Sequence, residues 1–85
     1  MKVLIPTPLR SYTGMGEVEA HGTTLGEVLA DLDGRYPGLR FRIVDEQDRL
    51  RPHVRFFVNR EAVFDLSHPV GPDDDLAIVQ ALSGG

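Results

Sequence analysis

TTLGEVLADLDGRYPG, residues 23–38, carries the clearest structural pattern in the sequence. Its apolar side chains recur at helical spacing and form one stripe, made of Leu25, Val28, Leu29, Leu32 and Tyr36. Thr23 or Thr24 can cap the start of this helix, and Glu27 follows Thr24 at the spacing of a capping box. The Pro-Gly pair at the end of the stretch stops the helix. We therefore predict one amphipathic helix that packs its stripe onto a sheet.

Strands are predicted on both sides of this helix. Before it, KVLIP places Val3 and Ile5 two apart, which is the period of a strand, and EVEAHG alternates apolar and polar residues. The two segments form a hairpin across the glycine-containing turn RSYTGMG. After it, HVRFFVN is a strand, and a turn at Asn59 and Arg60 leads into a short strand over residues 62–64. LAIVQA, residues 76–81, is the last strand. Residues 39–44 are either a short helical turn or an irregular segment, and residues 45–51 form an exposed loop.

This order of elements predicts an α+β fold of the ubiquitin-like β-grasp kind. A mixed sheet of four to five strands carries one main helix across one face. Eighty-five residues are enough for one domain only. We predict a β-grasp domain over residues 1–81 and a flexible diglycine tail over residues 82–85. The predicted core consists of Val3, Ile5, Val18, Ala20, Leu25, Val28, Leu29, Leu32, Leu76 and Ile78.

Composition excludes several classes of function. The chain has no cysteine, which removes disulfides, thiolate metal sites and cysteine nucleophiles. A net charge of −4 argues against nucleic-acid binding. The apolar run at the N-terminus is too short for a signal peptide or a membrane span, so we expect a cytoplasmic protein with no membrane partner. Six arginines between residues 35 and 55 alternate with carboxylates, which favours a solvated mixed-charge surface over an anion site.

The body of the domain offers no catalytic or metal site. His21, His53 and His68 lie far apart in the sequence and lack metal-ligand spacing, and no serine has a nucleophile-elbow context. The three consecutive aspartates of residues 73–75 predict a tight turn, because neighbouring carboxylates do not converge on one ion without a loop that wraps back. We therefore predict that the protein is not an enzyme and binds no cofactor.

The C-terminus is then the most informative segment. Gly84 and Gly85 follow the last core strand, with only Leu82 and Ser83 between that strand and the pair. Four extended residues reach roughly 13 Å, and the two glycines can pass through a channel too narrow for any side chain. The terminal carboxylate is unreactive at neutral pH, but a partner enzyme can adenylate it, and sulfur transfer then leaves a thiocarboxylate. The alternative interpretation is a frayed end without function.

The same segments, in order, resemble a known family. IPTPLR, TTLGEVLADLDGRYPGL, HVRFFVNREAV, GPDDDLAIV and the terminal GG are similar to the ubiquitin-like sulfur carriers of the MoaD/ThiS family. RIVDEQDRLRPHVRFFVN is similar to the CysO-type branch. The resemblance implies an adenylyltransferase partner of the MoeB/ThiF class that uses ATP and Mg²⁺. It also implies a covalent 1-thioglycine at Gly85 when the carrier is loaded, and a second partner, a sulfur-accepting synthase. Leu82, Ser83 and Gly84 would thread the partner's active site.

A carrier also needs a surface for its partner. Strand alternation places Phe57 and Val79 outward, and we predict that they form an apolar docking patch near the tail. Nothing in the sequence requires more than a monomer. Two rival functions stay open at this point: a ubiquitin-like modifier conjugated through Gly85, and a non-covalent β-grasp binding module. The final sulfur acceptor also stays open, with cysteine or a sulfur-containing metabolite favoured by the CysO-like segment.

Overall fold

A mixed five-stranded sheet organises the chain in the computed structural model, which describes residues 1–80. The strands are β1 (Lys2–Leu4), β2 (Glu17–Glu19), β3 (Val54–Val58), β4 (Glu61–Val63) and β5 (Asp75–Gln80). Their spatial order is β2-β1-β5-β3-β4. The two central strands, β1 and β5, run parallel, and all other pairs are antiparallel. The predicted α+β fold with a mixed sheet is confirmed, and the strand count is five.

The main helix α2 (Leu25–Arg35) lies across one face of this sheet. Thr24 is its N-cap and accepts a hydrogen bond from the Glu27 backbone N–H at 3.2 Å. Glu27 in turn accepts from the backbone N–H of Thr23 at 2.7 Å, one residue before the N-cap. The apolar stripe is buried, apart from Tyr36, which is half-buried beyond the last helical residue.

The structure has two short helices, of which the sequence pattern left one undecided and did not predict the other. A 3-10 turn over Thr7–Leu9 leads into α1 (Arg10–Thr13), where only a turn was predicted. The helical alternative for residues 39–44 is the correct one, because α3 spans Leu39–Ile43. Its side chains Leu39 and Ile43 are fully buried against α2 and the sheet.

The hairpin from β3 to β4 closes through a two-residue turn. Asn59 and Arg60 have φ values of 49° and 73°, the left-handed pair that matches the twist of a tight hairpin. This turn pairs Val58 with Glu61, so β4 begins one residue earlier than the predicted 62–64. Register is set by the turn, and alternation alone does not locate the first paired residue.

The predicted core is confirmed at all ten positions, each of which is less than 7% exposed. Phe56 is fully buried among them and is the largest fully buried side chain. Within residues 1–80, no helix is long and apolar enough to cross a membrane. The predicted final strand residue, Ala81, and the predicted tail lie outside the described residues, as does the predicted boundary between domain and tail.

Candidate functional site

The face of the sheet opposite α2 carries an exposed apolar surface. Along β5, Leu76 and Ile78 are buried under the helix, while Ala77 and Val79 point to the other side. Along β3, Phe56 is buried and Phe57 is half-exposed on the outer side. The predicted orientation of both phenylalanines is therefore confirmed.

Strand register assembles these outward residues into one patch. Ala77 lies opposite Leu4 on one side and opposite Phe57 on the other. We call Leu4, Phe57, Ala77 and Val79 the apolar face. Leu4 is 49% exposed and Val79 is 44% exposed, and the informative feature is that they lie in one contiguous patch. Leu4 and Ala77 line both of two open depressions of about 620 Å³ each, with Phe57 at one and Val79 at the other.

Phe57 and Val79 belong to the same face but are not directly paired. The cross-strand partner of Phe57 is Ala77, and that of Val79 is Arg55, so the two apolar side chains are diagonal neighbours. Leu4 was missed as a member of the patch. The signal was present, because Val3 and Ile5 on either side were predicted to point inward and alternation turns Leu4 outward.

A hydrogen-bonded turn fixes the start of β5. Asp74 accepts from the Asn59 side-chain amide and from the Gly71 backbone N–H, both at 2.8 Å. These donors, Asn59 first, hold the pKa of the Asp74 carboxyl below its usual value. The Asp75 backbone N–H donates back to Asn59 Oδ1 at 3.0 Å. The acidic stretch therefore joins the β3–β4 turn to β5, which supports the structural interpretation of the three aspartates. Within residues 1–80 no group of three His, Asp or Glu side chains could hold a metal ion.

The arginines of residues 35–55 fall into two groups. Arg35, Arg40 and Arg49 form ion pairs with the carboxylates of Asp31, Asp48 and Asp45. Arg42, Arg51 and Arg55 instead donate to neutral oxygens: the Tyr12 hydroxyl, the Phe41 carbonyl, and the carbonyls of Pro52 and Val54. The predicted mixed-charge surface describes the first group only.

The residues predicted to carry the chemistry, Gly85 and its neighbours Leu82, Ser83 and Gly84, lie outside the described residues. The structure shows where the chain that precedes them ends. Gln80 is the last described residue and pairs with Val54 at the end of the β3–β5 ladder. It borders the same depression as Val79. The described part of the chain therefore ends beside the apolar face.

Comparison with known proteins gives the family. A sequence model of the ThiS family matches residues 3–85. The chain belongs to the ThiS family. The sulfur carrier protein CysO of Mycobacterium tuberculosis is 37% identical over 89 residues, which cover 98% of this chain and 96% of the relative. Its crystal structure superposes with a TM-score of 0.89 at 36% identity, covering 95% of this chain and 98% of that one.

Two further solved structures are similar over nearly the whole chain. The crystal structure of the Amycolatopsis orientalis BexX/CysO complex contains a chain with a TM-score of 0.91 and 38% identity, at 99% and 98% coverage. Small archaeal modifier protein 1 of H. volcanii has a TM-score of 0.77 and 26% identity, at 96% and 97% coverage.

The resemblance to the MoaD/ThiS family, and to its CysO-type branch, is therefore confirmed, and so is the ubiquitin-like β-grasp fold. The family and its CysO relatives support a sulfur-carrier role. Proteins of this type are small carriers and not catalysts, as the sequence predicted for this chain.

Proposed function

We propose that this ThiS-family protein carries sulfur as a thiocarboxylate at Gly85. The observation that carries the proposal is the match to the ThiS family over residues 3–85, which includes the terminal diglycine. The sulfur-carrier description of the M. tuberculosis relative supports it at 37% identity. In this function residues 82–85 form a tail that enters partner active sites, and residues 1–81 hold and present it. The protein itself acts in the cytoplasm as a monomer that binds no cofactor.

The chemistry takes two steps on the partner adenylyltransferase of the MoeB/ThiF class. A carboxylate oxygen of Gly85 attacks the α-phosphorus of Mg²⁺-bound ATP, forms an acyl-adenylate and releases pyrophosphate. Hydrosulfide then attacks the acyl carbon, the C–O bond to AMP breaks, and AMP leaves; loss of the sulfur-bound proton gives the thiocarboxylate. Gly84 and Gly85 suit this role because they lack Cβ atoms and fit a narrow channel. The loaded form is a 1-thioglycine at Gly85.

The test of this proposal is mass spectrometry of the intact protein. Incubated with its adenylyltransferase, ATP, Mg²⁺ and a sulfur donor, the protein should gain the mass of one sulfur-for-oxygen exchange. Removal of Gly85 should abolish this gain and leave the thermal unfolding transition unchanged, because every described strand ends at or before Gln80. A truncated protein that is loaded as efficiently as the intact one would contradict the proposal.

We further propose that the apolar face is where the adenylyltransferase docks. Leu4, Phe57, Ala77 and Val79 form an exposed apolar surface next to the start of the tail, and such surfaces mark protein-binding sites. Phe57→Asp or Val79→Asp should slow adenylation about tenfold or more, because each puts a charge into the buried centre of the interface. Pyrophosphate release reports the rate.

Ala30→Asp is the matched control for these two variants. Ala30 is exposed on α2, on the side of the domain opposite the apolar face, and the substitution adds the same single charge. We expect it to leave the adenylation rate within twofold of wild type. Circular dichroism should show folded protein for all three variants. Wild-type rates in both Phe57→Asp and Val79→Asp would remove the docking assignment.

A second enzyme must then accept the sulfur. The CysO similarity favours cysteine or another sulfur-containing metabolite as the product of that sulfur-accepting synthase. The BexX/CysO complex of the Amycolatopsis relative supports the idea that such carriers bind a partner protein stably enough to crystallise with it.

One alternative function has an observation of its own. Similarity to a small archaeal modifier protein at 26% identity favours conjugation of Gly85 to lysine side chains as an additional or competing outcome. Activation up to the adenylate is the same, but the acceptor is an amine and the product is an amide. Tryptic digests of cell extract distinguish the two, because conjugation leaves a C-terminal fragment of this chain attached to lysines.

A further inference from the structure

A cleft of about 350 Å³ opens at the end of β5, on the side of the sheet that carries the helices. Gln80 shares the inward parity of Leu76 and Ile78 and lines this cleft. Arg42 from α3, and Arg51 and His53 from the segment before β3, surround it. Pro8, Leu9 and Phe41 complete the walls. We call Arg42, Arg51, His53 and Gln80 the cationic cleft.

The two arginines of the cleft are held in place without being neutralised. Arg42 Nε donates to the Tyr12 hydroxyl at 2.9 Å, and Arg51 Nε donates to the Phe41 carbonyl at 2.7 Å. The Arg51 guanidinium also stacks on the Phe41 ring, 4.5 Å from its centroid. Among residues 1–80, no carboxylate lies within 4.0 Å of either guanidinium. Both side chains are thus held in place by neutral oxygens, and within the described part of the chain four N–H donors of each guanidinium have no partner.

Gln80 needs a hydrogen-bond donor from a ligand, whereas the two arginines need an acceptor. Its Oε1 atom is buried and has no hydrogen-bond partner among residues 1–80. A buried acceptor without a donor is unfavourable, and such atoms in native proteins call for an explanation. A ligand that satisfies the whole cleft therefore needs an N–H group for Gln80 and an anionic oxygen for Arg42 and Arg51.

A peptide segment with an acidic side chain has both groups a few ångströms apart. Its carboxylate can accept from the guanidinium groups, and a backbone N–H can donate to Gln80 Oε1. We propose that the cationic cleft binds an acidic segment at the rim of the active site of the sulfur-accepting enzyme. This inference rests on the proposed sulfur-carrier function, and it assigns a second interaction surface to the same tail.

The position of the cleft favours the accepting enzyme over the activating one. The apolar face and the cationic cleft lie on opposite sides of β5, and both border Gln80. A carrier must leave the enzyme that loads it before it meets the enzyme that unloads it. Two surfaces of different chemistry at the root of one tail allow each enzyme to bind without the two competing for the same contacts.

The chemistry of the cleft is tested directly by NMR. The probe is the peptide acetyl-Gly-Asp-Glu-Asp-Gly-amide, titrated into isotopically labelled protein. We expect the Nε–H signals of Arg42 and Arg51 and the side-chain amide of Gln80 to shift together. Arg40 and Arg49, which already pair with Asp48 and Asp45, serve as internal controls and should shift far less. Equal shifts at all four arginines would overturn the assignment. This measurement involves no sulfur, so its outcome is independent of the proposed function.

The identity of the partner is tested by sulfur transfer from loaded protein to the accepting enzyme. At low ionic strength R42Q/R51Q should reduce kcat/KM for transfer about tenfold, and the loss should shrink in high salt as the charges are screened. R42K/R51K should recover most of the rate because it keeps both charges. R40Q/R49Q is the matched control from the same segment, with the same change in net charge, and should stay within twofold of wild type.

The remaining measurement compares the rates at which the adenylyltransferase loads R42Q/R51Q and the wild-type protein. We expect R42Q/R51Q to be loaded at the wild-type rate, so that only the transfer step is slow. If loading slows and transfer does not, the cleft belongs to the activating enzyme and the proposal is wrong. If R42Q/R51Q and R40Q/R49Q behave alike in transfer, the cleft has no specific role. Failure of wild-type protein to be loaded at all would instead contradict the proposed function and leave the NMR result standing.

Discussion

Gly38 is the residue at which the chain turns from α2 into α3. Its φ is +94°, in the left-handed region that favours glycine, and a Cβ placed there would lie 3.4 Å from Tyr12 Cε1. Its backbone N–H donates to Asp33 Oδ1 at 3.1 Å, so the turn is tied to the end of the main helix. The positive φ lets α3 begin at Leu39 with only three residues between the two helices, and Leu39 and Ile43 lie in the core.

Gly38→Ala should therefore destabilise the protein by roughly 1 kcal/mol. Gly34→Ala is its matched control, four residues away inside α2. Gly34 has open space where the methyl group of alanine would lie and no positive φ, so alanine there should stabilise by about 0.5–1 kcal/mol. Urea denaturation measures both changes. Shifts of the same sign in the two variants would show that the backbone at Gly38 is not the constraint.

Among the secondary-structure elements, β3 shows most clearly which side chains belong to the core and which to the surface. Phe56 and Phe57 are adjacent, yet Phe56 is fully buried and faces Ile78, while Phe57 faces Ala77 on the outer side. Phe56→Ala should cost about 3–5 kcal/mol because it removes a core ring and leaves a cavity. Phe57→Ala should cost well under half as much. The denaturant midpoints of the two variants, measured side by side, check this, and comparable losses would mean that the assigned register of β3 is incorrect.

The elements that could be predicted from the sequence are those with a long periodic pattern. The helical stripe from Leu25 to Leu32 and the alternation in β3 and β5 report burial directly, so the helix, the core and the outward position of Phe57 and Val79 followed from spacing. Alternation also predicts that Leu4 points outward. What the pattern could predict was which face a residue lies on.

The short elements depend on contacts between distant residues and carry no such pattern. α1 follows a 3-10 turn, and a side-chain hydrogen bond ties down each of its ends. At the start the Arg10 side chain donates to the Ile5 carbonyl, and at the end the Thr13 hydroxyl donates to the Met15 carbonyl. The start of α3 is satisfied by Asp33 of the preceding helix. Likewise, the sequence shows six arginines among carboxylates but not which guanidinium meets a carboxylate and which meets a carbonyl, because that depends on tertiary geometry.

In the whole molecule, β5 links the core, the β3–β4 turn, the apolar face and the cationic cleft. It lies at the centre of the sheet between β1 and β3, and Leu76 and Ile78 fix it to the core. Its first residue is tied to the β3–β4 turn through Asn59. Its last described residue, Gln80, borders both the apolar face and the cationic cleft. β5 is therefore anchored along its described length, and it ends between the two surfaces.

Stability of the whole domain should depend on a set of exposed carboxylates. Glu27, Asp31, Asp45, Asp65 and Asp74 all have their pKa lowered. The largest cause for the first four is a hydrogen bond from a backbone N–H, and for Asp74 it is the Asn59 side chain. These bonds cap α2, join it to the segment that follows β2, and close the loops before β3 and β5.

The sign of the resulting pH dependence follows from linkage. Because these carboxyls have a lower pKa in the folded protein than in the unfolded chain, where values lie near 4, the unfolded state binds more protons on acidification. Their stabilisation is fully present above about pH 5 and is lost as the pH falls through the lowered pKa values of the folded state. The urea midpoint should therefore fall between pH 5 and pH 3. Asp74→Asn should show a smaller fall than wild type, since asparagine can still accept from Gly71 but does not titrate. A midpoint that is constant over this range, or an Asp74→Asn variant with the full wild-type dependence, would show that these hydrogen bonds do not couple protonation to folding.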